Sequence, residues 1–243
     1  MRTSPLEAQT RHAAWPRALA SAALDLLFPP RCVACGRGGS FLCAVCLTLA
    51  TPVPEPRCDL CGQPIAGGPL CGRCAESPVA GSGLRSVFVY AGPVQAAVRA
   101  LKYHNMRVVA SPLGVEMARY LQAWGVELDI VVPVPLHPRR LRERGYNQAE
   151  LLARALWKET GLSVQPEALA RVRDTPAQAR APSAVERRRN VTGAFSAREV
   201  VRGRRALLVD DVCTTGATLS ACAEALLAAG AAHVWGLTVA REP

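Results

Sequence analysis

Apolar residues between positions 84 and 243 occur in short runs that are separated by longer amphipathic segments. Buried strands are predicted by the runs LRSVFVYAG, DIVVPVPL, ALLVDD and HVWGLTVA. Helices are predicted by the segments VQAAVRALKY, LGVEMARYLQAWG, YNQAELLARALWKETG and TLSACAEALLAAGA. Strands that alternate with helices of about 10 to 15 residues indicate βαβ units. We therefore expect residues 84–243 to form an α/β domain whose sheet is mainly parallel and flanked by helices.

The first 31 residues contain a separate amphipathic segment, WPRALASAALDLLF, which Pro29 and Pro30 end. Its spacing predicts an N-terminal helix that packs on the rest of the protein, in preference to a membrane or partner helix. No small-residue cleavage site follows it, so we do not expect secretion. The apolar runs are well below the roughly 20 residues of a membrane-spanning helix, and we expect no membrane span.

Residues 32–75 are rich in Cys, Gly and Pro and contain few large apolar residues, so this segment needs a staple to fold. Eight of the ten cysteines lie here as four Cys-x-x-Cys pairs. The pairs are Cys32/Cys35, Cys43/Cys46, Cys58/Cys61 and Cys71/Cys74. This spacing favours metal over disulfides, and with it a reducing compartment, so we expect a cytoplasmic location.

Two such pairs supply the four thiolates of one tetrahedral zinc ion. Seven residues separate Cys35 from Cys43 and nine separate Cys61 from Cys71, which favours sequential pairing, with a cross-braced arrangement as the alternative. Four thiolates leave no position for water, so we predict two structural zinc ions rather than catalytic ones. The pattern resembles a double zinc ribbon, a module that contacts nucleic acid or protein in some proteins and only staples the fold in others.

The chain carries 29 Lys and Arg residues and a formal net charge of +10, and all but two of these basic residues are arginines. The planar guanidinium group binds phosphate in a bidentate manner, so the excess suits a nucleotide, pyrophosphate or nucleic acid. A genome rich in Ala and Arg codons, together with solubility, explains the excess equally well.

The stretch ALLVDDVCTTGATLS leads from a buried strand into two acidic residues and then into a turn of threonines and glycine that opens a helix. The N–H groups at a helix N-terminus bind phosphate, and Gly216 permits close approach. Asp210 and Asp211 would repel a phosphate, so their target is a pair of hydroxyl groups on the same ligand. The stretch therefore predicts a ligand with a 5-phosphorylated ribose.

Residues 206–218 resemble the thirteen-residue fingerprint of type I phosphoribosyltransferases. The resemblance implies that the ligand is 5-phosphoribosyl 1-pyrophosphate (PRPP), with Mg²⁺ on its pyrophosphate. It also implies that Asp210 and Asp211 bind the ribose hydroxyls. The implied contacts of the 5-phosphate are Thr214, Thr215, Gly216, Ala217 and Thr218.

Two arginine-rich segments are expected to complete this site. The segment VVPVPLHPRRLRERGYNQAELLARAL ends a strand in a loop that would grip pyrophosphate through its arginines and backbone amides. The segment RVRDTPAQARAPSAVERRRNVTGAF has the composition of a mobile loop that closes over a polyanion. The candidate contacts are Arg139, Arg140, Arg142 and Arg144 in the first segment and Arg187 in the second.

The order of these blocks, behind the cysteine module and the sequence LLFPPRCVACG, resembles the ComF family of ComFC- and GntX-like proteins. The resemblance extends from about Leu24 to Val239 and rests on LHPRRLRERGYNQ, ERRRNVTGAF and VDDVCTTGATL. It implies a type I phosphoribosyltransferase-like domain preceded by a zinc-binding part, and a role in DNA uptake during natural transformation.

Two hypotheses about activity follow from the sequence. The first is a PRPP-binding accessory protein of DNA uptake, whose partners are single-stranded DNA or competence proteins. The second is a magnesium-dependent transferase that moves phosphoribose to a nucleobase or a related acceptor in nucleotide salvage. Aromatic residues, on which the bases of single strands stack, make up only 5% of the chain and do not interleave with basic ones. The sequence therefore favours direct binding of single-stranded DNA only modestly.

The sequence does not identify a catalytic residue. Purine-salvage phosphoribosyltransferases have an aspartate general base at the ninth fingerprint position, which here is Thr214, whereas orotate-type members also have threonine there. Lys102, Tyr103 and His104 are expected to line the acceptor side. His137 lies in the pyrophosphate segment, where we expect it to have a structural partner.

Overall fold

The computed structural model describes residues 29–173 and 193–243. The predicted N-terminal helix before Pro29 and the predicted contact Arg187 lie outside the described residues. The strands are β1 (Gly83–Val89), β2 (Ile130–Pro133), β3 (Ser163–Val164), β4 (Leu169–Arg171), β5 (Phe195–Ala197), β6 (Arg205–Cys213) and β7 (His233–Arg241). Five of them form a sheet in the order β1-β7-β6-β2-β3, in which all neighbours are parallel, and β4 pairs with β5 in an antiparallel ribbon.

Helices connect these strands as the sequence predicts. The helices are α1 (Ala44–Thr48), α2 (Gly72–Glu76), α3 (Gly92–Tyr103), α4 (Ala110–Trp124), α5 (Pro138–Arg144), α6 (Gln148–Thr160) and α7 (Ala217–Ala228). Short 3-10 turns lie at Arg107–Val109, Pro166–Ala168 and Glu199–Val201. The predicted α/β fold class with a parallel sheet and flanking helices is confirmed.

The central strand β6 separates two hydrophobic cores. Successive side chains of a strand point to opposite faces of the sheet. Leu207 and Val209 therefore pack with α3, α4 and α6, whereas Ala206 and Leu208 pack with α7 and the β4–β5 ribbon. All four side chains are almost completely buried, as expected for a parallel sheet that is covered on both faces.

Close packing of α4 against α6 depends on Gly114. A Cβ atom at this position would lie 2.4 Å from the Cβ atom of Ala155, which is closer than van der Waals contact allows. The glycine thus lets the two helices pack closely on one face of the sheet.

The cysteine-rich segment is docked on the α/β domain. In its first half, Cys32, Cys43 and Cys46 belong to the same core as α3 and α4. In its second half, the amide of Leu84 donates to the carbonyl of Leu60 at 2.7 Å, and Arg85 Nη1 donates to the carbonyl of Asp59 at 2.9 Å. Within the described ranges, no helix has the length and apolar character that crossing a bilayer requires.

Candidate functional site

The eight cysteines of the four Cys-x-x-Cys pairs converge in two clusters of four. Within each cluster the sulfur atoms lie within 4.8 Å of one another. The clusters are Cys32/Cys35/Cys43/Cys46 and Cys58/Cys61/Cys71/Cys74. The structure therefore brings sequential pairs together and not the cross-braced alternative.

The sulfur positions fit one tetrahedral zinc ion per cluster. Four sulfurs at about 2.3 Å from a zinc ion lie about 3.8 Å from each other. The Sγ–Sγ distances of Cys32–Cys46, Cys35–Cys43 and Cys61–Cys71 are each 3.7 Å. Four thiolates fill the tetrahedral coordination of a zinc ion, which is the ligand set of structural rather than catalytic centres.

Backbone amides favour the thiolate form of one cysteine in each cluster. The amide of Cys43 donates to Cys32 Sγ at 3.5 Å, and the amide of Cys46 donates to Cys43 Sγ at 3.4 Å. Burial opposes ionisation of Cys32 and Cys58, but such backbone hydrogen bonds outweigh it and lower the pKa of each thiol to about 6. Thiolate, the form that binds zinc, is thereby favoured near neutral pH at one cysteine of each cluster, whereas burial raises the pKa of Cys46, Cys61 and Cys74.

An open cleft of about 300 Å³ lies at the carboxyl edge of the sheet, where ligands bind in open α/β folds. It is bordered by the ends of β1, β2, β6 and β7. The predicted residues that line it are Asp210, Asp211, Thr214, Thr218, Arg140 and Arg144, joined by Lys102 and Tyr103. Six of the residues that the sequence assigned to PRPP thus share one cleft.

The two acidic residues differ in their surroundings because consecutive strand residues face opposite sides. Asp211 is 2% exposed, and its Oδ1 lies 2.8 Å from Lys102 Nζ at the end of α3. Its Oδ2 is buried and has no hydrogen-bond partner among the described residues. A ligand hydroxyl would satisfy that acceptor, which otherwise carries a desolvation cost.

Asp210 faces the other side of β6. Its Oδ1 accepts a hydrogen bond from the amide of Asp211 at 2.8 Å. Burial and the neighbouring carboxylate of Asp211 raise the pKa of Asp210 to about 7. Near neutral pH Asp210 of the unliganded site therefore readily takes up a proton, whereas Asp211 is paired with Lys102.

The predicted phosphate loop leads from β6 into α7. Gly216 has φ +79°, a conformation that favours glycine, and a Cβ atom there would lie 3.2 Å from Leu84 Cδ2, which is tighter than ordinary van der Waals contact. Gly216 is the N-cap residue of α7 and offers no side-chain cap. The amide of Ala217 donates to Thr215 Oγ1 at 3.4 Å. Backbone N–H groups and the partial positive charge at a helix N-terminus are the features that bind anions, and this turn has both.

The predicted pyrophosphate loop is partly helical. Pro138 occupies the first turn of α5, His137 Nδ1 accepts from the amide of Arg139 at 3.3 Å, and Gly145 ends the helix with φ +77°. The structural partner expected for His137 is therefore present. Because α5 is helical, its arginines point in different directions. The sequence prediction of a loop therefore could not tell which of them face the cleft.

Two of the four candidate arginines in this segment reach the cleft. Arg140 and Arg144 line it, and Arg144 donates to Gln148 Oε1 and stacks 5.9 Å from the ring of Tyr103. Arg139 does not line it; its Nε donates to Glu143 Oε1 at 3.0 Å on the exposed side of the helix. Arg142 likewise lies outside the cleft lining.

Sequence reasoning missed Tyr90, Gln148 and Glu242, which also line the cleft. Tyr90 follows β1 directly, and Glu242 follows β7 directly, with its amide bonded to the carbonyl of Cys213 at 2.9 Å. The carboxyl ends of parallel strands share one edge of the sheet, so the residue after each strand was a usable signal. The expectation for Lys102 and Tyr103 agrees with their position, whereas His104 is not part of the lining.

Two domain families match this chain. Residues 23–75 match the double zinc ribbon domain, and residues 142–243 match the phosphoribosyl transferase domain. The first match covers both cysteine clusters, and the second begins at Arg142, near the end of α5, and covers α6, the acid pair and the phosphate loop.

Three relatives match most of this chain and most of their own length. DNA utilization protein YhgH of Escherichia coli is 37% identical over 204 residues, which is 81% of this chain and 89% of that protein. Competence protein F of Haemophilus influenzae is 31% identical over 75% of this chain and 84% of its own length, and competence protein ComFC of Bacillus subtilis is 26% identical over 82% and 84%.

A solved structure, the glutamine PRPP amidotransferase of B. subtilis, matches with 23% identity and a TM-score of 0.40 over 58% of this chain, which spans 30% of that protein. With its double zinc ribbon, its phosphoribosyltransferase domain and relatives that match over most of their length, this chain belongs to the ComF family.

Proposed function

We propose that this protein binds PRPP together with Mg²⁺ and acts in the handling of incoming DNA during natural transformation, in the cytoplasm. The observation that carries the proposal is the shared cleft of about 300 Å³, which is bordered by the acid pair, by Thr214 and Thr218 of the phosphate loop, and by Arg140 and Arg144. Each of these groups has the chemistry that one part of PRPP requires.

The order of the strands supports this assignment. β6 supplies the acids and the phosphate loop, and its neighbour β2 leads into α5 with Arg140 and Arg144. Guanidinium groups bind pyrophosphate oxygens with charge-assisted bonds, and the unpartnered Oδ2 of Asp211 is suited to a ribose hydroxyl. Mg²⁺ prefers carboxylate, phosphate and water oxygens, which the cleft and the pyrophosphate would provide together.

The cellular role is supported by the relatives. Their names connect them to DNA utilization and competence. The partner is single-stranded DNA or a competence protein, and the basic chain suits the first of these through its charge. The affinity for single-stranded DNA that is bound through charge alone falls steeply as the salt concentration rises. The affinity for a protein partner falls less.

Calorimetric titration with PRPP and Mg²⁺ tests the ligand. We expect saturable binding to the full-length protein and a loss of at least about tenfold in affinity for Asp210→Asn and Arg140→Gln, because each removes a charged contact. Glu159→Gln removes an exposed charge outside the cleft and is the matched control. The role is tested by complementing a transformable strain that lacks its own ComF-family protein. Failure of the wild-type chain to bind PRPP, or full complementation by Asp210→Asn, contradicts the proposal.

A second candidate function, phosphoribosyl transfer, is favoured by one observation. The Glu242 carboxylate borders the cleft beside Thr214, the position where purine-salvage phosphoribosyltransferases carry an aspartate base. In such a transfer an acceptor nitrogen forms a bond to C1 of the ribose, and the bond from C1 to the pyrophosphate oxygen breaks. Pyrophosphate leaves with the bonding electrons, and Glu242 accepts the proton of the acceptor nitrogen.

Release of pyrophosphate from PRPP in the presence of a panel of nucleobases separates the two candidates. Turnover that Glu242→Gln lowers by at least about 100-fold while PRPP affinity is kept supports transfer. PRPP binding without pyrophosphate release supports the accessory role.

A further inference from the structure

Of the ten cysteines of this chain, all of which lie in the described ranges, Cys35 alone is exposed. It belongs to the first cysteine cluster, whose three other members are at most 9% exposed. All of residues 34–39 are exposed as well, so the chain around this thiol is open to solvent. A small molecule in solution can therefore reach Cys35 at the position where it serves as a zinc ligand.

The second cysteine cluster is closed by comparison. Its four cysteines are at most 9% exposed, and they form a small core with Val79. Arg73 Nη2 lies 3.8 Å from Cys61 Sγ, and the buried side chain of Arg241 donates to the carbonyl of Cys61. These contacts cover the second cluster, so a reagent in solution reaches it only after local opening of the fold.

The first cluster also supplies the partner that an oxidised Cys35 needs. Cys43 Sγ lies 3.7 Å from Cys35 Sγ, and a disulfide bond joins two sulfur atoms at about 2.05 Å. The chain after Cys35 has open space on its side-chain faces, because a Cβ atom at Gly36, Gly38 or Gly39 would meet no atom within 4 Å. A shift of this exposed turn is therefore enough to bring the two sulfur atoms together.

The first cluster is connected to the acid pair of the cleft. Cys43 is the N-cap residue of α1, and Cys46 lies within this helix. Helix α1 contacts α3, and Lys102 near the end of α3 lies 2.8 Å from Asp211 Oδ1. A metal ion held by the cluster fixes α1 in the shared core. Loss of that ion therefore loosens the support of Lys102 and, with it, of the Asp211 carboxylate.

We propose that Cys35 is an oxidation site for hydroperoxides, and that its oxidation releases the first zinc ion and weakens PRPP binding in the cleft. The effect on the cleft rests on the proposed function, whereas the oxidation site itself does not. Cysteines that react with peroxides are exposed, are held as thiolates and lie beside a second cysteine. Cys35 meets the first and third conditions, and coordination to a metal ion supplies the second.

The reaction has two steps and consumes one peroxide molecule. The Cys35 thiolate attacks an oxygen atom of hydrogen peroxide, the O–O bond breaks, and hydroxide leaves with the bonding electrons, so that Cys35 becomes a sulfenic acid. The Cys43 thiolate then attacks the Cys35 sulfur, the S–O bond breaks, and a second hydroxide leaves as the disulfide forms. Two thiolates are thereby oxidised, and the peroxide is reduced to two hydroxide ions. Only Cys32 and Cys46 then remain to hold the metal, and the first cluster releases it.

The test treats the reduced, zinc-loaded, full-length protein with hydrogen peroxide in a thiol-free buffer. A metallochromic dye measures the released zinc, peptide mass spectrometry maps the disulfide, and titration calorimetry measures the affinity for PRPP with Mg²⁺. We expect the release of one of the two zinc ions, a disulfide between Cys35 and Cys43, and a fall in PRPP affinity of at least about fivefold. Dithiothreitol followed by zinc should reverse all three changes.

Two histidine variants identify the reactive thiol. Histidine binds zinc beside three cysteines but forms neither a sulfenic acid nor a disulfide, so Cys35→His should keep both zinc ions in the presence of peroxide. Cys71→His is the matched control in the second cluster and should lose one zinc ion as the wild type does. If Cys35→His is isolated with a single zinc ion, the order of oxidation in the wild type takes its place. Time-resolved mass spectrometry must then find Cys35 oxidised before any cysteine of the second cluster.

The inference is overturned if peroxide releases both zinc ions at the same rate, if zinc-loaded Cys35→His is as sensitive as the wild type, or if PRPP affinity is unchanged after one ion has been released. Failure of the proposed function gives a different result, in which the reduced protein itself does not bind PRPP. Selective release of one zinc ion through Cys35 would then leave the oxidation site in place and remove only its effect on the cleft.

Discussion

The two zinc ribbons have the same ligands and the same spacing pattern, but they support opposite sides of the cleft. The first shares its core with the α/β domain, because Cys32, Cys43 and Cys46 pack in the cluster that contains α3 and α4. Its helix α1 contacts α3, and the end of α3 carries Lys102 to Asp211. The first zinc centre thereby supports the position of Asp211 through α1, α3 and Lys102.

The second ribbon has a small core of its own, made of its four cysteines and Val79. It joins the domain mainly through hydrogen bonds, of which the bond from Leu84 to the carbonyl of Leu60 is central. The side chain of Leu84 lies directly beneath Gly216 in the phosphate loop. The two ribbons thus differ in what they support, since the first is part of the main core and the second adjoins the phosphate loop.

The largest effect expected from this difference is on stability. Cys46→Ser removes a ligand that is also a core residue, so we expect the zinc content to fall from two ions to one and the melting temperature to fall by about 10 °C or more. Cys71→Ser also removes one zinc ion, but Cys71 belongs to the separate small core of the second ribbon. We therefore expect Cys71→Ser to lower the melting temperature by less than half as much as Cys46→Ser. Metal analysis and calorimetric melting measure both changes.

Cys222→Ala is the matched control, because Cys222 is buried but belongs to neither cluster, and it should keep two zinc ions. Cys71→Ser should in addition weaken PRPP binding, since it loosens the support of the phosphate loop. Equal shifts in melting temperature for Cys46→Ser and Cys71→Ser would remove the distinction between the ribbons.

A smaller effect on stability is expected from the ion pair between Lys102 on α3 and Asp211 on β6. Lys102→Met leaves the 2%-exposed carboxylate of Asp211 without its cation. Breaking a buried pair in this way costs about 3 kcal/mol, and the partial exposure of Lys102 puts the value at the lower end of the usual range. Urea unfolding of the full-length protein measures the loss.

Lys158→Met removes the only other lysine of the chain from an exposed position and should change the unfolding free energy by less than about 0.5 kcal/mol. If the two lysine variants lose the same stability, Lys102 and Asp211 are not coupled in solution.

The sequence predicted the elements that local patterns determine. The strand–helix alternation, the sequential cysteine pairs and the phosphate loop all follow from residues close together in the chain. The Lys102–Asp211 ion pair and the position of Glu242 beside Thr214 depend on the order of strands in the sheet, which no local pattern contains. The directions of Arg139 and Arg140 depend on α5 being a helix, and the two prolines and four arginines around it concealed its short amphipathic pattern.

The smallest expected effect is a pH dependence of stability that comes from Asp210. The folded-state pKa of Asp210 is raised to about 7 from an ordinary value of 3.8, so the folded protein binds the proton more tightly than the unfolded chain. The stability from this proton is fully present below about pH 4 and is lost as the pH rises to about 7. Asp210→Asn cannot titrate, so its stability relative to wild type should rise between pH 5.5 and about 8 and then stay constant. Glu159→Gln should show no such trend in the same urea-unfolding series, and a flat difference for Asp210→Asn would mean that Asp210 is ionised in the unliganded cleft as firmly as a carboxylate in water.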